Sequence, residues 1–339
     1  MDKELLEKYP IFNEAKRVTN LNKNLMRIEL EDDTLFYDKT KDIFLNFNFA
    51  VCHFNEYGVA EIIKHNKDKK INLYGYINDK YEILIPPICE FATSFEEGYA
   101  RIKVRENDNK VHYYVVDTKG NKVLNVDKYK YVGEMHNGLM RVSTEEIDDY
   151  DCGTEDQFRG CFGFIDITGK EIIKPQFFEV SNFETDYISA HKLDDCGWGV
   201  LNKQGEIVIP FKYVSMFNPF CVKDFNGNNK YFAEVFIPDD KTIAPEDFVD
   251  QEGKWDILDI LNNKLLGIYH DDYYISDTET YGYIRSTLNG NHFIYDLLTN
   301  KFLDKKLSEY YPQERNKFYK YGKTIITDNN GNIINKPKR

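Results

Sequence analysis

Hydrophobic and polar residues alternate along this chain in short runs, and the runs recur. In Gly98-Tyr-Ala-Arg-Ile-Lys-Val104, residues Ala100, Ile102 and Val104 fall on one side of an extended strand. Tyr99, Arg101 and Lys103 fall on the other, which is the period-two pattern of a strand with one buried face. The same opening, a turn residue followed by alternation, stands at Gly58-Val-Ala-Glu-Ile62, Gly138-Leu-Met-Arg-Val142 and Asp186-Tyr-Ile-Ser-Ala190. Successive openings are 40, 40 and 48 residues apart, so the pattern has a period.

Each opening is followed by an aromatic residue, usually a glycine, and a short apolar strand ending in Asn or Asp. The copies are Tyr74-Gly-Tyr-Ile-Asn78, Tyr113-Tyr-Val-Val-Asp117, Phe162-Gly-Phe-Ile-Asp166 and Trp198-Gly-Val-Leu-Asn202. Lys119-Gly120, Thr168-Gly169 and Gln204-Gly205 then read as hairpin turns in which glycine supplies a positive φ. A return strand follows: Glu82-Ile-Leu-Ile-Pro86, Lys122-Val-Leu-Asn-Val126, Glu171-Ile-Ile-Lys-Pro175 and Glu206-Ile-Val-Ile-Pro210. Proline has no N–H to donate and is expected to end pairing there. An apolar residue (Phe95, Met135, Phe183, Met216) stands three positions before the next turn residue or close to it. The pattern predicts three-stranded units, roughly seven or eight in all.

Residues 1–20 read as a leader or cap in which Leu5, Leu6 and Tyr9 line one face of a short helix that Pro10 ends. Residues 21–219 hold the repeats, with 21–57 a degenerate first copy. Residues 220–339 read as degenerate β repeats and a C-terminal cap, with short helices expected near 244–249 and 303–316 and a hairpin around Asn330-Gly331.

Aromatic-Gly-aromatic-Ile-Asp, a turn Gly, Glu-Ile-x-x-Pro, then Phe-x-x-Gly-x-Ala resembles the WG repeat, a bacterial β-rich repeat of about this length. The Trp-Gly pair itself stands only at Trp198-Gly199; the Trp is replaced at Tyr74, Phe162 and Tyr281, and the Gly is replaced by Tyr114. The resemblance brings no catalytic residues. It implies a repeat scaffold that acts as an interaction module. Trp198, Tyr74 and Phe162 are expected to be structural, with the glycine letting the ring pack against a close backbone.

Composition narrows the function without naming it. The 339 residues carry 57 acidic and 44 basic side chains, a net charge of −13, which disfavours nucleic acid and anionic membranes as partners. Residues 301–339 reverse this with ten basic and four acidic residues. Six cysteines at 52, 89, 152, 161, 196 and 221 show no CxxC spacing and read as free thiols in a reducing compartment. The N-terminus lacks a signal-peptide core and no run approaches 18 apolar residues, so a cytoplasmic location without a membrane span is the expectation. The third spacing is lengthened by an insertion over 144–159 that holds Glu145, Glu146, Asp148, Asp149, Asp151, Glu155 and Asp156 against Arg159. It reads as a solvated acidic loop, with partner docking or a calcium site as alternatives. His270-Asp-Asp272 reads as a polar strand end, and no P-loop, GxGxxG, HExxH or GxSxG motif occurs.

The expectation is an all-β tandem array of about 40-residue three-stranded units in an open, solenoid-like stack, with a β-propeller as the alternative. The sequence singles out no catalytic, cofactor-binding or metal-binding residue. It points to a non-catalytic scaffold for a protein partner. A glycan- or peptidoglycan-binding module is an alternative, as is an enzyme with a cryptic site in 220–339. The oligomeric state stays open.

Overall fold

A computed structural model of the chain describes residues 3–68, 70–106, 109–145, 161–192, 197–224, 227–239, 252–268, 283–288, 291–297 and 301–302. The chain divides into two compact units, Met1–Met140 with Asp166–Lys170, and Arg141–Ile165 with Glu171–Arg339. The described residues are almost wholly β, in six antiparallel sheets whose strands follow one another in chain order. The first sheet holds β1 (Arg17–Asn20), β2 (Leu25–Glu29), β3 (Thr34–Asp38) and β4 (Ile43–Leu45). The second has seven strands: β5 (Ala50–Val51), β6 (Val59–Asn66), β7 (Ile71–Asn78), β8 (Ile83–Ala92), β9 (Tyr99–Arg105), β10 (Val111–Asp117) and β11 (Lys122–Asn125).

The third is β12 (Tyr131–His136), β13 (Leu139–Ser143), β14 (Phe162–Asp166) and β15 (Glu171–Phe177). The fourth is β16 (Glu179–Val180), β17 (Tyr187–Lys192), β18 (Gly197–Asn202) and β19 (Ile207–Tyr213). The fifth is β20 (Phe220–Lys223), β21 (Asn229–Pro238), β22 (Gly253–Asp259) and β23 (Lys264–Leu265). The sixth is β24 (Tyr283–Leu288), β25 (Asn291–Asp296) and β26 (Lys301–Phe302). The helices expected near 244–249 and 303–316, and the hairpin around Asn330, lie outside the described residues.

The alternation read in β9 holds: Ala100, Ile102 and Val104 are buried, and Tyr99, Arg101 and Lys103 are half-buried. The four apolar residues near the next opening are also core. Phe95 packs edge-on against Tyr76 at 4.8 Å, and Phe183 against Phe164 at 4.9 Å, while Met135 and Met216 are buried. Burying aromatic pairs of this kind supplies more than area alone, because their quadrupoles favour the edge-on geometry.

Proline does not end the return strand. β8, β15 and β19 each run through their prolines in a bulge and resume pairing beyond it. Along β7 two steps from Tyr74 to Tyr76 face four along β8, from Cys89 back to Ile85. The same slip separates Phe162↔Phe177 from Phe164↔Ile173, and Trp198↔Tyr213 from Val200↔Ile209. The physical reason is that residues in a bulge are not asked for ladder hydrogen bonds, so proline costs nothing there.

The glycine of each aromatic-Gly pair stands opposite that bulge. A Cβ on Gly75 would lie 2.3 Å from the Ile85 carbonyl oxygen, one on Gly163 2.4 Å from that of Ile173, and one on Gly199 2.6 Å from that of Ile209. The glycine therefore makes room for the partner strand's backbone, rather than for its own neighbouring ring. The Tyr113-Tyr114 copy shows the converse. With Tyr114 in the glycine position and Val126 in the proline position, Tyr114 pairs with Asn125 and Val115 with Leu124 in plain register. Glycine, proline and the wide bulge between them are lost together, only a one-residue slip remains between Val115 and Val116, and the Tyr114 ring packs against the core cluster around Tyr76 and Ile102.

The bulge also explains why sheets of four strands replace the expected three. Beyond it, Cys89, Phe91 and Ala92 of β8 pair with β9, which fuses two sequence units into the seven-stranded sheet. After β15 the short β16 does the same for β17. The segment behind each return strand thus opens the next unit.

The hairpin turns follow the sequence reading. The strand-end Asn or Asp side chain accepts from backbone N–H groups two and four residues on: Asn78 from Lys80 and Glu82, Asp117 from Lys119 and Asn121, Asp166 from Thr168 and Lys170, Asn202 from Gln204 and Glu206. These Asx turns fix the strand ends. The fourth turn position is left-handed at Gly120, Gly169 and Gly205, and at Tyr81 in the first copy, where φ is 71°. Tyr81 is held there by its hydroxyl, which donates to buried Asp38 at 2.8 Å, and by Lys41 over its ring.

The N-terminal segment covers the first sheet. α1 (Lys3–Lys8) ends before Pro10, and Phe12 inserts against Met26, Ile28 and Tyr37 with Leu5, Leu6 and Tyr9 around it. Asp42 ties the segment down by accepting from Lys8, from Tyr9 at 2.9 Å and from Tyr37 at 2.6 Å.

Candidate interaction surface

Within each of the two compact units, neighbouring repeats are joined by recurring polar contacts. Arg101 reaches from β9 to the Val132 carbonyl on β12. Its repeat counterpart Arg141 reaches the Val180 carbonyl on β16 at 2.8 Å. At the opening turns, the Glu97 carboxylate accepts from the backbone N–H groups of Asn137 at 2.5 Å and Gly138 at 2.8 Å. These contacts to orphan backbone groups hold one unit on the next without adding bulk.

Large apolar side chains are left in solvent, several of them on the strands that close a repeat. Ile83 on β8 is 50% exposed and Ile207 on β19 is 59% exposed. They are structurally equivalent, since Ile83 pairs with Ile77 and Ile207 with Leu201 at the same point of the hairpin. Val123 on β11 is exposed too, as are Ile43 and Phe44 on β4. β4, β11 and β19 are outermost strands of their sheets, and the Ile83 end of β8 pairs only with β7. Proline and bulge blunt the free edges of β8 and β19 against addition of another strand. What these edges offer a partner is side chains.

A second feature lies on the seven-stranded sheet. Phe91, Lys103 and Tyr113 stand opposite one another across β8, β9 and β10, with both rings more than two-fifths exposed. The Lys103 ammonium is 6.0 Å from the Tyr113 ring and pairs with Glu90 at 3.6 Å.

The residues that the sequence singled out are not gathered. Phe162 is core as expected, but Tyr74 and Trp198 are only half-buried at the margins of two different clusters. Most of the acidic insertion, together with Cys152, Cys196 and His270, lies outside the described residues. Cys52, Cys89, Cys161 and Cys221 are free thiols. Burial pushes the Cys89 thiol up to about 11, which keeps it protonated and unreactive at neutral pH. Among the described residues no group of His, Cys, Asp and Glu side chains could hold a metal ion. No described helix is long and apolar enough to cross a membrane.

The family described as the WG containing repeat matches residues 74–107, 162–190 and 198–225. The chain carries WG repeats. Each matched segment begins at or next to an aromatic-Gly pair, and the first two run on through the bulged return strand into the next opening strand. In a WG repeat of this chain, then, the glycine and the proline are the two halves of one bulge.

A search of curated proteins finds no match. Among solved structures, the chain is similar to the β-propeller domain of the Trilobed protease from Pyrococcus furiosus, with 12% identity, 83% of this chain and 94% of that chain covered, and a TM-score of 0.32. It is also similar to a puromycin hydrolase mutant complexed with PGG, with 10% identity, coverage of 80% and 47%, and a TM-score of 0.30. The WD40 domain of Toxoplasma gondii coronin gives 10% identity, coverage of 73% and 67%, and a TM-score of 0.28. None of the three bears on the function of this WG-repeat chain.

By alternation alone Ile-x-Ile in a return strand falls on one face, which hides the exposure of the first isoleucine. A one-residue slip between Ile77↔Ile83 and Tyr76↔Ile85 leaves the first isoleucine outside while the second is buried. The equivalent position is Lys122 and Glu171 in the other two copies, so the repeat pattern itself marks it as solvent-facing.

The half-buried Trp198 ring of the WG pair has a measurable consequence. His191 lies directly across from it, with ring centroids 5.5 Å apart, and Phe178 closes its other side at 5.5 Å. Burial holds the His191 imidazole below its ordinary range. The unfolded chain therefore takes up a proton that the folded chain resists, and the linked stability is present above the ordinary histidine range and lost as pH falls through it. His191→Phe is expected to remove part of the fall in urea midpoint between about pH 7 and about pH 5. An unchanged pH slope in the variant would refute the linkage.

Proposed function

We propose that this chain is a non-catalytic repeat scaffold that binds a protein partner through the outer strands of its units. The observation that carries the reading is the placement of Ile83, Val123 and Ile207, large apolar side chains left in solvent on strands that close their units. Large apolar side chains left in solvent at repeated points of a repeat fold are candidate contacts for a partner. The blunted edges support recognition by side chains rather than by strand addition. The net charge of −13 supports a protein over a nucleic acid as partner.

The test is a triple variant, Ile83→Lys, Val123→Lys and Ile207→Lys. Exposed positions tolerate such changes within about 0.5 kcal/mol each, so the unfolding midpoint should hardly move. A partner captured by cross-linking to the wild-type chain and then purified should lose at least about tenfold in affinity for the variant. An unchanged affinity would exclude these strands.

The Phe91–Lys103–Tyr113 row supports a second reading, in which exposed rings stack on a sugar and Lys103 meets an acidic group on it. Glycan-array binding by the wild-type chain that Tyr113→Ala abolishes would favour this reading over the first.

A further inference from the structure

We propose that Asn137 is a site of spontaneous deamidation whose rate is held down by the Glu97 carboxylate of the preceding repeat. Asn137-Gly138 forms the two-residue turn between β12 and β13, and both residues are exposed and left-handed, with φ of 52° and 80°. Glycine offers no Cβ to hinder attack through its nitrogen. The chemistry needs only water. The Gly138 nitrogen bonds to Asn137 Cγ, the Cγ–Nδ2 bond breaks, and the proton lost from Gly138 departs with the ammonia. A five-membered succinimide is left. Water then opens it at one of two carbonyls, giving aspartate, or isoaspartate with the backbone rerouted through the side-chain carbon.

Glu97 opposes the first step in two ways. Its Oε2 holds the Gly138 N–H at 2.8 Å, so the nitrogen must give up a charge-assisted hydrogen bond before it attacks. Its Oε1 holds the Asn137 N–H at 2.5 Å, so the turn is pinned from both sides of the peptide that must swing. The arrangement is a small anion-binding nest filled by a carboxylate from the same compact unit. Conversion of Asn137 sets a second carboxylate beside Glu97, and the isoaspartyl form also lengthens the turn. Either product weakens the link between two successive units, in one direction only.

The experiment follows deamidation in the full chain by peptide mass spectrometry, reading the conversion of amide to carboxylate at Asn137. The pairs Asn226-Gly227, Asn289-Gly290 and Asn330-Gly331 serve as internal references. In buffer, Glu97→Ala should convert at Asn137 severalfold faster than the wild type, and Glu97→Gln, which keeps one acceptor oxygen, should fall between. In urea all three should convert at one rate. The proposal is overturned if Glu97→Ala leaves the rate at Asn137 in buffer unchanged or lower. It is equally overturned if the acceleration is shared by the three reference pairs, since that marks a general opening of the fold.

Discussion

Gly75→Ala is expected to cost about 3 kcal/mol or more of folding stability, read as a lowered urea midpoint. The added methyl would stand 2.3 Å from the Ile85 carbonyl oxygen and 2.7 Å from the Pro86 carbonyl, both backbone atoms. No rotamer change relieves such a clash. The bulge must move, and with it the pairing of Cys89, Phe91 and Ala92 to β9 that fuses two units. Gly98→Ala separates this steric effect from the conformational one. Gly98 has a φ of 84° but nothing within 4 Å of an added Cβ, so its cost is the left-handed penalty alone, about 1–2 kcal/mol. Equal losses at the two positions, or a loss at Gly75 within about 0.5 kcal/mol of zero, would sink the account of the bulge.

Asp256→Ala should be comparably damaging, for the opposite reason. Asp256 is fully buried on β22, and its carboxylate gathers three backbone donors: Ile257 at 2.7 Å, Ile268 at 2.8 Å and Gly267 at 3.1 Å. These contacts pin the segment after β23 onto the sheet, where Ile268 joins Val222, Phe232 and Ile257 in the core. Alanine leaves the buried Ile257 and Ile268 N–H groups without this acceptor, while that of exposed Gly267 can turn to water, a loss of about 2–6 kcal/mol at about 1–3 kcal/mol for each buried donor. Asp256→Asn keeps one oxygen but turns an N–H towards a donor, so its loss should be real but smaller. A midpoint for Asp256→Asn at or below that of Asp256→Ala would contradict this ordering.

The role of neither residue can be read from the sequence alone. Asp256 sits in Trp255-Asp-Ile-Leu-Asp259, and an acid on a strand is ordinarily solvent-facing. Its burial depends on a loop returning 11 and 12 residues later to supply donors, which no local pattern records. Gly75 stands out in the sequence as part of a repeated pair, but the pair by itself points to the ring beside it. The partner atom lies on β8 across the sheet, and only the pairing register brings it there.

The sequence by itself determined the all-β class, the recurring units, the WG-repeat identity, the Asx turns with left-handed glycines, and the buried face of strands such as β9. All of these rest on residues within one strand or one turn, where spacing and side-chain type are sufficient. Tertiary structure alone decided that proline sits inside a bulge, that the segment behind it opens the next unit, and that Ile83 faces out while Ile85 faces in. It also placed Glu97 over the Asn137 turn 40 residues away. Each of these depends on which backbone lies opposite which, and one slipped residue in a ladder changes the answer.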